Sequence, residues 1–331
     1  MGLPRRQFRR VASRAVAIFV IPIIFISAVN LAASAQEART IKVVVPFPPG
    51  GAMDVLGRVL AEEIGRAQGP TMVIENRPGA GTVIATELVS RAAPDGNTLL
   101  MPANSFVINP FLHKLNYDPL TSFEPICYLV RSPTVIVVNS SSPYHTLPDL
   151  LDAARAKPGE LTMAAVGPAT SFHVAIEVFK RAAHADISYI PYPGGAPAVT
   201  ALLGGHVTSV FANYIEVSEH LRSGKLRALA TGSPTRLEML PDLPTIAESG
   251  YKDFQLENWL SVVAPAKTPQ KTIAQLIGFY RAALQAPQVK AKLATQALLP
   301  VATCGKDFGD FIRAQYAEYG RAIPDLNIKA E

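Results

Sequence analysis

An α/β protein of two domains, with a cleft between them, is the architecture this sequence predicts. Two observations carry the expectation. Short β-branched runs alternate with stretches of helical periodicity, and glycine- and proline-rich loops stand where strand gives way to helix. Length agrees, since 331 residues suit roughly two domains at about 100–200 residues each. The chain is 49% hydrophobic, enough for a sizeable core, and only 17% charged. That is below the roughly 25% of an average soluble protein and argues against a disordered or coiled-coil chain.

The elements follow in order. Residues 41–45 read as a buried strand, broken by Pro46-Phe47-Pro48-Pro49-Gly50-Gly51. Val55, Leu56, Val59, Leu60 and Ile64 then recur at helical spacing until Gly69-Pro70 stops the helix. A second round follows: strand 71–75, loop 76–81, helix 82–93, strand 98–101. The middle repeats the theme with strands at 134–138, 161–166, 187–191, 207–211 and 226–231. Helices are expected at 147–157, through Ala175, Ile176 and Phe179, and from Pro197 to Gly204-Gly205. After a proline-rich crossing come strand 259–264 with Trp259 in the core, helix 270–285, a short strand near Val301 and a last helix at 307–319. The chain thus crosses from one domain to the other and back. Residues 36–138 and 233–331 form the first domain, and residues 139–232 the second.

Residues 1–35 hold Arg5, Arg6, Arg9, Arg10 and Arg14 and no acid. An apolar stretch over 16–26 and the small residues Ala33-Ser34-Ala35 complete the pattern of an export signal cut after Ala35. The alternative is an uncleaved anchor, because residues 16–35 approach the ~20 that a membrane span needs. Arg5-Arg6-Gln7-Phe8 also resembles a twin-arginine start. The mature protein is expected to be soluble and outside the cytoplasm. Without its leader it carries 26 basic groups (31 less the five arginines) against 26 acidic ones. A nucleic-acid binder needs a basic excess, and there is none. Cys127 and Cys304 lie in no CxxC or metal-ligand spacing. Two unpaired buried thiols are the expectation, and a disulfide, which export permits, is the alternative.

Chemistry concentrates at the junctions. The two glycines of Pro46-Phe47-Pro48-Pro49-Gly50-Gly51-Ala52-Met53-Asp54 let the backbone approach a ligand. The helix start that follows offers unpaired N–H groups and a partial positive charge to an anion. No Lys-Ser/Thr follows and no GxGxxG spacing occurs, so neither a P-loop nor a dinucleotide fold is indicated. Asp54 reads most simply as an acid stabilising its own helix. Residues 167–171 and 192–197 are two more such junctions, and Pro197 in a first helical turn wastes no donor. Converging at the carboxyl ends of strands, the three would make a cage of neutral donors suited to a carboxylate. There is no GxSxG or HExxH motif, and the six histidines show no metal-ligand pairing. Thr170 and His173 stand three apart at a helix start. They read as a helix cap and a local hydrogen-bonding residue; a secreted hydrolase built on the pair is the enzymatic alternative.

Taken in order, several motifs resemble the Bug/TctC family, the extracytoplasmic receptors of tripartite tricarboxylate transporters. They are Pro46-Phe47-Pro48-Pro49-Gly50-Gly51 with Asp54, Asn76-Arg77-Pro78-Gly79-Ala80-Gly81, Pro94-Asp95-Gly96-Asn97-Thr98-Leu99 and Pro191-Tyr192-Pro193-Gly194-Gly195-Ala196-Pro197-Ala198. Leu203-Gly204-Gly205, Gly224-Lys225-Leu226-Arg227-Ala228-Leu229-Ala230 and Leu240-Pro241-Asp242-Leu243-Pro244-Thr245 complete the set, so that the likeness spans about residues 40–325. The resemblance implies a type II periplasmic-binding-protein fold: two mixed sheets flanked by helices, closing like a clamshell on a ligand between domains. It implies a monomeric receptor, not an enzyme, without cofactor or metal. Such a receptor binds a small mono-, di- or tricarboxylate and hands it to membrane transporter subunits, or alternatively signals to a membrane sensor kinase. Carried over, the first gripping loop is Phe47, Pro48, Gly50, Gly51 and Ala52 with Asp54. The second is Tyr192, Gly194, Gly195 and Ala196. Gly167, Thr170, Ser171 and His173 match a third motif in which Ala169 replaces a glycine. Asn104 falls in a stretch that faces the cleft in similar proteins, and Asn213 stands where an acid is often found.

Overall fold

The structure, a computed structural model, describes residues 40–326 except Gly69, together with Ile328. The leader expected over 1–35 lies outside the described residues. In chain order the first elements are β1 (Thr40–Val45), α1 (Ala52–Gln68), β2 (Thr71–Asn76), α2 (Val83–Ser90), β3 (Thr98–Leu100) and α3 (Ser105–Ile108). Next come β4 (Phe123–Asn139), α4 (Leu147–Ala156), β5 (Thr162–Val166), α5 (Ser171–Ala183), β6 (Ser188–Tyr192) and α6 (Gly195–Leu203). Then follow β7 (Ser209–Asn213), α7 (Tyr214–Arg222), β8 (Leu226–Thr231), β9 (Glu257–Pro265), α8 (Gln270–Gln285), α9 (Pro287–Thr295), β10 (Leu299–Cys304) and α10 (Lys306–Ala322).

The strands pair in two sets that share β4. In one set β2, β1 and β3 run parallel through βαβ crossovers, and β9 joins β3 and β4 in antiparallel fashion. In the other, the second half of β4 pairs antiparallel with β7 and β8, while β7, β5 and β6 run parallel. The first set buries Ile41 and Val43 against Leu56, Leu60 and Ile64 of α1 and Leu276 and Tyr280 of α8. The second packs Met163 and Phe211 against Ile176 and Phe179 of α5. Each such side chain contributes roughly 1.5–3 kcal/mol of burial. Trp259, 2% exposed, lies in a cluster with Phe308 and Phe311.

Three features depart from the expectations. The strand expected at 134–138 is the last third of β4, whose 17 residues run from Phe123. Pro125, Arg131 and Pro133 interrupt the apolar pattern there, and the β9 register shifts between Pro125 and Cys127, as a residue without an N–H requires. Three short helices were not expected: α3 is a single turn after Asn104, α7 follows its strand without a glycine or proline between them, and α9 follows α8 after Ala286 alone. Finally, Cys127 and Cys304, expected as unpaired thiols, form a disulfide. They are register partners across β4 and β10, a neighbourhood that strand pairing creates and spacing along the chain does not announce.

Candidate functional site

Four strand-to-helix junctions open onto one cleft: β1 to α1, β5 to α5, β6 to α6, and β7 to α7. All lie at carboxyl ends of strands, where open α/β sheets hold ligands. Phe47, Pro48, Gly51 and Ala52 line it from the first junction, Thr170 and Ser171 from the second, Gly194, Gly195 and Ala196 from the third, and Asn213 from the fourth. Gly167 and Tyr192 instead line an adjoining, more open hollow that shares Phe47, Val166 and Thr170.

The first loop is braced from beneath. Gly50 has φ +86°, a left-handed conformation that favours glycine, and its N–H donates to Asp54 Oδ2 at 3.0 Å. The Asn76 amide donates to the Phe47 carbonyl at 3.0 Å, and Arg58 pairs with Asp54 at 2.9 Å. Burial raises the Asp54 carboxyl, but hydrogen bonds from Arg58, Gly50 and Asn76 outweigh it and hold the pKa below 3.8. Asp54 thus shapes the loop and does not line the cleft.

At the second junction Thr170 caps α5: its hydroxyl donates to the carbonyls of Val166 and Gly167 at 3.0 and 2.9 Å. Its side-chain oxygen also accepts from the His173 N–H at 3.5 Å. His173 Nδ1 accepts from the Ala169 N–H, and its ring stacks on Tyr189 at 4.4 Å. The hydroxyl proton is directed to carbonyls and not to the imidazole, so the pair lacks the geometry of an activated nucleophile. Neither His173 nor Asn104 lines the cleft. Asn104 is 2% exposed, accepts from the Trp259 N–H at 3.1 Å and donates to Tyr319 and Glu257, while its neighbours Ala103 and Ser105 face the cleft.

The third and fourth junctions meet at a residue that sequence reasoning missed. Glu216, in the first turn of α7, accepts from the Asn213 N–H at 3.0 Å and its side-chain amide at 3.3 Å, and from the N–H of Ala52 at the start of α1. A methyl group on Gly195 would overlap its carboxylate, and one on Gly51 would reach 3.4 Å from Oε1. The carboxylate therefore sits between the starts of α1 and α6, where an anion is favoured. Loss of hydration dominates over the Asn213 and Ala52 hydrogen bonds and lifts its pKa from 4.5 to about 7. Its signal in the sequence is Asn213-x-x-Glu216, a helix-start pattern of cap residue and glutamate. Asn213 Oδ1 in turn accepts from Asn258 at 2.9 Å and Ser132 at 3.2 Å, and Ser171 bonds Asn258 at 2.6 Å. One hydrogen-bonded chain thus joins α5, β9, β7 and α7 along the cleft.

Residues 56–328 match the tripartite tricarboxylate transporter family receptor, TctC. The chain belongs to this family. The receptor is 35% identical to Protein BugT of Bordetella pertussis over 313 residues, covering 92% of this chain and 96% of that one. Its fold matches the periplasmic binding protein BugD with a TM-score of 0.84 at 31% identity, over 88% of this chain and 98% of that chain. It matches Rpa4515 of R. palustris, solved with adipate, with a TM-score of 0.84 at 29% identity, over 89% and 99% of the two chains. The receptor thus has the expected periplasmic-binding-protein fold. Among its described residues no helix is long and apolar enough to cross a membrane, and no group of His, Cys, Asp or Glu could hold a metal ion.

Proposed function

We propose that this receptor works outside the cytoplasm, after removal of residues 1–35, and closes around a small carboxylate that it delivers to a membrane transporter. The observation that carries the reading is the convergence of the starts of α1, α5 and α6 on a cleft with no Lys, Arg or His among its lining residues. An anion entering such a cleft is held by the first-turn N–H groups that Glu216 leaves free, those opening α5 among them, and needs no buried cation. The relative solved with adipate supports the ligand class. Residues 36–138 with 233–331 on one side and 139–232 on the other are the two bodies that close, hinged at the crossings. Gly51, Ala52, Gly194, Gly195 and Ala196 belong to the gripping loops, with Thr170, Ser171 and Asn213 facing the ligand from the other side.

Thermal unfolding of residues 36–331 against a panel of monocarboxylates, dicarboxylates and their neutral esters tests this. A ligand at 100 times its Kd stabilises by about 2.7 kcal/mol, a shift of several degrees at this size. Acids that shift the curve while their esters leave it unchanged are the expected result. A panel in which no acid moves the curve overturns the carboxylate assignment.

A further inference from the structure

Among the described residues, Glu216 is the one charged residue lining the cleft. Its carboxylate occupies the space between the first turns of α1 and α6, the space a ligand carboxylate gripped by both loops would take. Two consequences follow from elementary chemistry. A second carboxylate cannot share that space without clash, and beside it would meet a like charge in a poorly hydrated site. Among the described residues, the surrounding elements supply no compensating cation. On α1, Arg58 is paired with Asp54, and on α7 itself Arg222 is paired with Glu219. On β4, Arg131 is paired with Glu257, while Arg227 of β8 serves the carbonyls of Ser140, Ser142 and Tyr144.

Hydrogen-bond capacity points the same way. A carboxylate offers about four acceptor sites. The protein supplies three donors, the N–H groups of Ala52 and Asn213 and the Asn213 amide. One site remains, and Glu216 turns it toward the cleft that it lines. The amide cannot be turned to change this: Asn213 Oδ1 already accepts from Asn258 and Ser132, so its NH₂ is committed to Glu216.

We infer that Glu216 sets the specificity of this receptor for carboxylates that carry a donor nitrogen, an ammonium or a carboxamide, which docks on Glu216 between the two glycine loops. The inference rests on the carboxylate-receptor reading above. It assigns one end of the ligand to Glu216 and leaves the ligand's own carboxylate to the remaining backbone donors, those opening α5 among them.

The test compares probes of one chain length at pH 8 by titration calorimetry on residues 36–331. The four-carbon set is succinate, succinamate, 4-aminobutyrate and butyrate; the six-carbon set is adipate, adipamate, 6-aminohexanoate and hexanoate. Wild-type protein is expected to bind an amino or amide acid at least about tenfold more tightly than the matching dicarboxylate, the scale of one hydrogen bond to a charged group. E216Q, which keeps the shape and offers the cleft an NH₂ group, is expected to reverse that order. The wild-type ranking stands by itself should E216Q fold poorly. A wild-type protein that favours dicarboxylates overturns the inference, and so does dicarboxylate binding accompanied by uptake of one proton, in which Glu216 becomes the donor. In either case the carboxylate reading survives. If no probe binds either protein, both readings fall.

Discussion

The ionisation of Glu216 makes a prediction about stability that needs no ligand. Its folded pKa of about 7 stands above the ordinary 4.5, so the native protein holds its proton more tightly than the unfolded chain. The sign follows: the contribution of this group is fully present below pH 4.5 and is lost as pH rises through 7. At 1.36 kcal/mol per pH unit between those values, the loss totals about 3 kcal/mol. E216Q has no proton to lose and stays flat over the same window. For roughly 300 folded residues at about 2.1 cal/mol/K each, 3 kcal/mol corresponds to about 5 °C. Calorimetric unfolding of wild type and E216Q at half-unit steps from pH 4.5 to 8.5 measures it. The difference between the two proteins cancels every other titrating group. E216Q should gain about 5 °C on wild type between pH 4.5 and 8.5. A difference that stays constant to within a degree would refute the placement of the carboxylate between α1 and α6, because an exposed glutamate gives no such slope.

Other consequences can be checked on the same protein. Replacing Cys127 and Cys304 by serine opens a loop of 177 residues and should cost about 2–5 kcal/mol, read as a lower Tm that reductant reproduces in wild type and leaves unchanged in the double variant. Gly195→Ala places a methyl group on the Glu216 carboxylate and should cost about 1–3 kcal/mol. It should also flatten the pH slope just described, since the carboxylate must move toward water; an unchanged slope would show that the contact yields without displacing it. Asp54→Ala removes the brace of the first loop and should cost about 1–3 kcal/mol at pH 7. Because the folded pKa of Asp54 is depressed, that stability is present above the ordinary 3.8 and is lost as pH falls, so urea unfolding should show the variant's deficit closing in acid.

Local signals made most of the fold legible. The β-branched run before Pro46 placed β1 within a residue of its observed limits, and the helical spacing of Val55, Leu56, Val59, Leu60 and Ile64 up to Gly69-Pro70 placed the body and the end of α1. The helix expected at 270–285 coincides with α8. Proline hid the first part of β4 because pairing with β9 and β10 overrides a local breaker when the ladder can shift register. The short helix α7 was invisible because it stands on its capping glutamate and on burial of Tyr214 and Val217, not on a long apolar stripe. At the site, the glycine loops announced themselves through composition. Asn104 and His173 carry residue types suited to ligand contact, yet in the folded chain their polar atoms are engaged with Trp259, Tyr319 and Ala169. The type of a side chain does not reveal which neighbour claims it.

By itself, then, the amino-acid order determined what forms within a few residues: strand, turn and helix start at each junction, and the family those junctions belong to. These follow from backbone sterics, side-chain branching and unpaired helix N–H groups, all of which act over one or two turns of chain. Tertiary structure alone decided that Cys127 meets Cys304, that β4 serves both sets of strands, and that a glutamate of α7 comes between the starts of α1 and α6. Each of these depends on which distant backbones approach within a few ångströms, and that is settled by the packing of whole elements, which no local pattern encodes.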